Sequence, residues 1–467
     1  MATSLAVAAA LIAMESPMYL RDAGYLLSFG AVLGMAAVYP LMMSQGKTES
    51  KILQSFQASL AVNLVLFPVM LSFYYEFPPY SLLLNLVIIP LMSVVLGAGL
   101  LGSFLCLFFK PLGGLVFLLC RGILNLYEWS CNLSMKLPFS RIVTGKPEVS
   151  WIVLYYAVLL LVCLYWMLRK EKTGKTCFAW GMLAAAGICL AASGQMKHHG
   201  VFQATMLDVG QGDCFFFRDG NGKNYLIDGG SSSVDAAGRY RLEPFLKFRG
   251  VKRLDYVWVT HGDVDHLNAV EELLERRKYG VEIQYLIFPE QKYWDERLIK
   301  LCNLAEEAGT KVRVMEMDTI FLSGKLKMRC LWPGEGEPSE NGNENSLVLH
   351  LQYGKITMLF TGDLENTGEE LLAERIKNLR KKGELPACYD LLKVGHHGSR
   401  NATGEELLEV IRPRVAFCSS GKENRYGHPH AETLERLAKW GVSLYNTKDR
   451  GAVSMYTDGR EYGIQSP

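Results

Sequence analysis

Two imidazoles and two carboxylates crowd the six residues His261-Gly262-Asp263-Val264-Asp265-His266. Carboxylates this close disfavour one another's charge unless a cation lies near them. Imidazole and carboxylate together are a donor set that zinc or manganese accepts. A metal ion held there acidifies water for hydrolysis. The competing reading is a helix start whose acids serve as caps, but a cap needs only one such side chain. The density of donors favours the metal.

Other turns carry matching chemistry. Thr361-Gly362-Asp363 follows the apolar run Ile356–Phe360 and sets a carboxylate at a strand's C-terminal end, placed to bridge two cations. Lys393-Val394-Gly395-His396-His397-Gly398-Ser399 offers two adjacent imidazoles. One completes a second metal position and the other contacts substrate or orients a ligand; the sequence leaves open which is which. Leu207-Asp208-Val209-Gly210-Gln211-Gly212-Asp213 uses glycine for a close turn that carries polar side chains toward the site. It is not a phosphate loop, because it lacks the GK[ST] ending. In Asn424-Arg425-Tyr426-Gly427-His428-Pro429-His430, His428 is a candidate to contact a phosphate or protonate a leaving group. The alternative there is a helix-start turn, with Pro429 near its first position. Lys393, Arg400, Lys422 and Arg425 form a local basic set for a polyanionic substrate, against the reading of ordinary surface charge.

The elements that must position these turns fall in residues 197–467. Apolar runs such as Gln203–Asp208, Asp255–Thr260, Ser346–Gln352, Ile356–Phe360, Leu391–Val394 and Val415–Cys418 predict strands. Helical patterns occupy about 266–278, 292–308, 365–381, 404–411 and 431–440. Strands interspersed with helices predict a layered α/β domain. The stretch Pro333–Asn345 reads as an exposed loop.

Residues 1–196 are different. Runs at Gly24–Met43, Ile52–Tyr75, Trp151–Leu168 and Thr176–Ala192 approach the ~20 apolar residues that a helix needs to cross a bilayer. Ser81–Phe109, broken at Pro90, is one kinked helix, two short helices or a re-entrant element; Leu112–Met135 carries Arg121 and Glu128 on one face. Charges at membrane depth face other helices or water, and near the interface they avoid most of the penalty. Residues 2–14 are too short for a comfortable span and lack the basic start of a signal peptide, so a truncated or partly embedded helix is expected. Arg169, Lys170, Lys172 and Lys175 place the loop between the last two spans in the cytoplasm. The domain beyond the Lys197-His198-His199-Gly200 linker then faces outward. The chain holds 49 Lys/Arg and 47 Asp/Glu, with a slight acidic excess beyond residue 196. This excludes the global basic field of a strong non-specific nucleic-acid binder. Eleven cysteines without CxxC spacing predict buried thiols, not disulfides or zinc-thiolate centres.

Taken in order, Asp-Val-Gly-Gln-Gly-Asp at 208–213, His-x-Asp-x-Asp-His at 261–266, Asn345-Ser346-Leu347, Thr-Gly-Asp at 361–363, Gly-His-His-Gly-Ser at 395–399 and Tyr-Gly-His-Pro-His at 426–430 resemble the ComEC competence-protein family. Pro17 and Asp22-Ala23-Gly24-Tyr25-Leu26-Leu27-Ser28-Phe29 resemble its membrane signature, with Tyr25 at a Phe position. The resemblance covers essentially the whole chain. It implies a polytopic helical membrane domain (1–196) followed by a metallo-β-lactamase-like αββα sandwich (197–467), in the cytoplasmic membrane with the hydrolase outside. It implies DNA uptake in natural transformation, with a metal-dependent nuclease acting on the strand that is not transported. DNA, the membrane and other uptake proteins are the implied partners, and a homo-oligomer is an option. Family members carry more membrane helices and a small β-rich domain, so the chain reads as a fragment, a mis-started frame or a degenerate copy.

The resemblance also implies roles for residues. His261 and Asp263 hold one divalent ion. Asp265, His266 and one of His396/His397 hold the second, and Asp363 bridges them. Asp228, in Leu226-Ile227-Asp228-Gly229-Gly230, supports the metal turn without binding metal, with Asp208 and Asp213 beside it. Asp265, Asp363 and His428 are the catalytic groups. Asp263 replaces the superfamily's second His, and Asn345 stands where its third His motif is missing, as a weak neutral ligand. That shifts the first position from zinc toward manganese or magnesium and makes it labile. Two readings compete with the nuclease: a membrane-anchored hydrolase of another phosphoester, and a non-catalytic module whose metals only shape DNA contact.

Overall fold

The computed structural model describes residues 2–44, 50–168, 176–195, 200–334 and 338–466. The chain divides into two units, Met1–Lys197 with Lys247–Gly250, and His198–Leu246 with Val251–Pro467.

In the first unit, among the described residues, five helices are long and apolar enough to cross a membrane: Ala23–Ser44, Lys51–Tyr74, Ser81–Phe108, Lys110–Met135 and Val149–Leu168. The run containing Pro90 forms one helix, not two, and no re-entrant break. Residues Thr176–Ser193 are helical where a sixth span is expected, but the apolar stretch Cys177–Ser193 is shorter than the other five. The N-terminal apolar segment is a helix over Ala2–Glu15. Arg121 and Glu128 are both exposed on Lys110–Met135. The helices meet through small residues and satisfied phenols. A Cβ at Gly34 would lie 2.8 Å from the Val62 Cα, so glycine is what allows that approach. The buried Tyr155 hydroxyl donates to the Leu64 carbonyl at 2.9 Å, which removes the penalty of an unpaired polar group. The basic residues Arg169, Lys170, Lys172 and Lys175, on which the orientation rests, lie outside the described residues, as do Lys197, His198 and His199.

The second unit is two sheets packed face to face. The first runs Tyr462–Gln465, Val453–Thr457, Phe202–Met206, Phe215–Arg218, Asn224–Ile227, Arg253–Trp258, Glu282–Pro289, Lys311–Met315 from edge to edge. The second runs Ser443–Asn446, Val415–Cys418, Leu391–Lys393, Ile356–Phe360, Val348–Tyr353, Leu326–Trp332, Ile320–Ser323. Successive side chains of a strand point to opposite faces. The unbroken run Val257-Trp258-Val259 therefore has to bury both faces. Trp258, Phe215, Phe217, Met358 and Phe360 meet between the sheets. Val257, Val259 and Phe216 instead pack beneath the helices Val264–Glu275 and Glu296–Glu307 with Leu267, Val270 and Leu298. On the other sheet, helices Asn366–Lys381, Glu405–Ile411 and Ala431–Lys439 cover Leu359, Leu392 and Ala416. The layers are αββα, each sheet buried on one face by its partner and on the other by helices.

The topology sets the site. Asn224–Ile227 pairs parallel with Arg253–Trp258. Ile356–Phe360, Leu391–Lys393 and Val415–Cys418 are also mutually parallel. The turns that leave the C-terminal ends of these strands carry Asp228, His261–His266, Asp363, His396 with His397, and Ser419. The Leu347 N–H donates to the Thr260 carbonyl at 2.9 Å, tying the two sheets together at this edge.

Candidate metal centre

The His261–His266 turn is held from behind by glycines. A Cβ on Gly230 would stand 2.5 Å from the His266 nitrogen, and one on Gly212 would stand 2.3 Å from the Gly230 carbonyl. The Asp213 N–H donates to the Asp265 carbonyl at 2.9 Å and the Gly229 N–H to the His266 carbonyl at 2.8 Å. Asp263 is the cap residue of helix Val264–Glu275, yet its carboxylate makes no capping bond. It lies 3.8 Å from His261 Nε2 and 3.5 Å from the Arg297 guanidinium. The capping explanation of this turn therefore fails for the side chain that it requires.

Each imidazole is oriented through its Nδ1. Asp228, itself in the left-handed region at φ 56°, accepts from the Thr260 N–H at 2.8 Å and the Thr260 hydroxyl at 2.9 Å. Its Oδ2 also lies 3.0 Å from His266 Nδ1. His261 Nδ1 is 3.0 Å from the Thr260 hydroxyl, and His397 Nδ1 is 3.0 Å from the Ser419 carbonyl. His396 Nδ1 is 2.9 Å from Glu365. Consecutive left-handed residues, His396 at φ 43° and His397 at φ 52°, aim the two rings. Such backbone strain in non-glycine residues persists only where the surroundings over-determine it.

These bonds leave the Nε2 atoms pointing inward. Those of His261, His266 and His397 are buried and make no well-aligned hydrogen bond, nor does Asp213 Oδ1. Asp363 stands among them. Its Oδ1 lies 3.1 Å from His266 Nε2, while its Oδ2 lies 3.5 Å from His397 Nε2 and 3.7 Å from His396 Nε2. His397 Nε2 is also 3.5 Å from Asp265. Donor atoms of His261, His266 and Asp363 fall within 4.8 Å of one another, as do those of Asp265, His266 and His397. Buried unpaired polar atoms carry a penalty. Three imidazole nitrogens aimed at one carboxylate are a donor set that fits divalent cations.

The electrostatics agree with that crowding. Burial would lower the His266 and His397 pKa values, but Asp363, with Asp228 for one and Asp213 for the other, reverses this. His266 ends well above the usual range and His397 is pushed up to about 10. Burial and then the neighbouring His266 hold His261 down to about 4. Burial, then His397 and His396, hold His428 down to about 4 as well. His428 is therefore neutral at pH 7. It can position a phosphate oxygen but is no ready acid. Its ring centroid lies 5.4 Å from that of His396, and its Nδ1 lies 3.4 Å from the Gln211 amide.

Three expectations are corrected. Lys393 is buried at 2% exposure, with its ammonium against Asp213 and 3.4 Å from Asp363, so it presents no surface charge to a substrate. Its place beside Phe360 in the parallel sheet points it inward. Asn345 spends its amide on the Ser339 backbone, accepting at 3.0 Å and donating at 2.9 Å, and is no ligand. Asp208 accepts from the Gly210 N–H at 3.2 Å within its own turn, because a short carboxylate closes such a turn more readily than it spans to the cluster. Lys422, Arg400 and Arg425 are exposed; Arg400 pairs with Glu432 at 3.4 Å and Arg425 lies over the Tyr426 ring. Thr260, Glu365, Ser419 and Arg297 were not singled out in the sequence. Only Glu365, two residues beyond Asp363, carried a local signal.

Residues 1–169 match the family model described as competence protein, and residues 207–422 match the metallo-β-lactamase superfamily. ComE operon protein 3 of Bacillus subtilis (strain 168) is 28% identical, over 97% of this chain and 58% of that protein. Competence protein ComA of Neisseria gonorrhoeae is 27% identical, over 96% of this chain and 57% of that protein. The chain thus spans a little over half the length of these relatives. Among solved structures, human tRNase Z, short form, is 12% identical with a TM-score of 0.31, covering 52% of this chain and 96% of that one. The chain is thus a multi-pass membrane protein that joins a competence-protein domain to a metallo-β-lactamase-superfamily domain, and it is similar over nearly all its length to ComE operon protein 3 and competence protein ComA.

Proposed function

We propose that the second unit is a metal-dependent phosphodiesterase that cuts DNA, and that the chain serves DNA uptake in natural transformation. The observation that carries the chemistry is Asp363, which stands within 4.8 Å of donor atoms of His261 on one side and 3.5 Å from His397 Nε2 on the other. In this reading His261 and Asp263 hold one cation, Asp265, His266 and His397 hold the other, and Asp363 joins them. Divalent ions bound there supply acidified water and neutralise charge on the phosphoryl group. The remaining work belongs to the chain. Asp228, Thr260 and Ser419 lock the ring tautomers, and Asp213 lies beside His397. His396, at 25% side-chain exposure, and neutral His428 face incoming phosphate. Arg400, Lys422 and Arg425 hold the strand. Manganese, zinc and magnesium are the candidate ions. The competence relatives support the transport role, for which the cytoplasmic membrane, an outward-facing hydrolase and other uptake proteins as partners follow.

The test uses the full chain in detergent with end-labelled linear single- and double-stranded DNA, a small phosphodiester and a carboxylic ester, each with manganese, zinc, magnesium or EDTA. Cleavage of DNA with metal and none in EDTA is the expected result. DNA binding without cleavage under every ion, or hydrolysis confined to the small substrates, rules the reading out.

Asp228→Asn tests the orienting bonds. The neutral amide presents the wrong hydrogen-bond pattern to Thr260 or to His266 Nδ1. Metal affinity, read by calorimetric titration, is expected to fall by roughly 10–100-fold with the fold retained. Unchanged affinity removes Asp228 from the centre.

A further inference from the structure

Lysine is almost never fully buried unless it is paired, and Lys393 is buried beside the donor cluster. Its ammonium touches the Asp213 carboxylate, donates to the Gly362 carbonyl at 2.7 Å and lies 3.4 Å from Asp363 Oδ1. Asp213 in turn reaches His397 Nδ1 at 3.3 Å through its other oxygen. One flexible side chain from the strand Leu391–Lys393 thus touches the Thr361-Gly362-Asp363 turn and the turn that ends at Asp213. The Asp213 N–H extends the same tie to Asp265.

We infer that Lys393 is a positioning residue, an internal ammonium that holds Asp213 and the Asp363 turn in place before any metal ion is bound. This rests on the metal-centre reading above. Four carboxylates, Asp213, Asp228, Asp265 and Asp363, crowd this edge and disfavour one another's charge. A fixed ammonium at the inner edge offsets part of that charge and occupies no inward-facing Nε2. The centre can then lose and regain metal ions without its scaffold opening. An ammonium suits this place better than a guanidinium, because it is a compact charge with rotatable donors for three acceptors in different directions.

The experiment is hydrogen–deuterium exchange on the full chain in detergent, following peptides that cover 207–214, 360–364 and 393–399. It compares the parent, Lys393→Met and Lys393→Met with Asp213→Asn, each in EDTA and in manganese. In EDTA, Lys393→Met should speed exchange in all three segments by about tenfold or more, because it leaves a buried carboxylate without its cation. The double variant should recover most of that protection, since it removes the orphaned charge as well. Manganese should slow exchange in Lys393→Met more than in the parent. Equal exchange of Lys393→Met and the parent in EDTA overturns the inference. So does a double variant as exposed as the single one, or neither variant folding, because a packing defect would do that. If manganese leaves even the parent unchanged, the metal-centre reading fails, while the EDTA comparison still judges Lys393.

Discussion

Asp363→Asn should lower metal-dependent DNA cleavage by about 10³-fold, on the scale of losing a preorganised electrostatic contact at the reacting centre. Asp363 lies at both candidate positions: its donor atoms fall within 4.8 Å of those of His261 and His266, and its Oδ2 meets His397 at 3.5 Å. Asparagine keeps the shape and can still accept through one oxygen. The turn is pinned independently by the Ser346 hydroxyl on the Asp363 N–H and by Lys393 on the Gly362 carbonyl. The fold should therefore survive. Calorimetric titration should show weaker uptake at both positions, and cleavage by Asp363→Asn in saturating manganese should match the parent in EDTA. A variant that cuts at the parental rate removes Asp363 from the mechanism.

Residues 261–266 were legible because their donors are dense and contiguous; no tertiary information was needed to see that so many ligands exceed what a helix start requires. Asp363 was legible for a related reason, since an acid after an apolar strand and a glycine turn lands at a strand's C-terminal end. The packing of Val257 and Trp258 on opposite faces follows from period two, both faces being apolar. The sandwich itself came from the family resemblance, because strand patterns do not say which sheet faces which. Lys393 was misread because its direction depends on a non-local pairing with Phe360. In the sequence it is only another basic residue near Arg400. His397 is set apart from His396 by burial, at 1% against 25% side-chain exposure, and that difference depends on the folded neighbours of two adjacent, identical residues. The rings' partners, Ser419 and Glu365, are fixed by strands and helices that converge only in the folded domain. Asn345 shows the opposite failure: a position that matched a motif by neighbourhood has its amide already bonded to Ser339.

Metal uptake should strengthen steeply with pH. In the metal-free protein the carboxylates keep His266 and His397 protonated at neutral pH, with His397 pushed up to about 10, whereas His261 is held down to about 4 and is already neutral. A ligating imidazole must give up its proton, so binding releases protons. Affinity then rises by about tenfold per pH unit for each proton displaced, because one pKa unit is ~1.4 kcal/mol. With His266 and His397 both displaced, the rise between pH 6.5 and 7.5 approaches roughly 100-fold. The stability of the metal-free domain moves the other way. A histidine whose folded pKa is raised contributes fully below its unfolded value near 6.5. That contribution is lost as pH climbs toward about 10. The thermal shift produced by saturating manganese should therefore widen as pH rises through this window. Calorimetry in two buffers of different ionisation enthalpy measures the proton count directly, and a value between one and two is expected. Heats that do not depend on the buffer, or tighter binding at the lower pH, would mean that these rings carry no proton for the metal to displace. The imidazole-to-carboxylate pairing seen around Asp363 would then not describe the metal-free protein in solution.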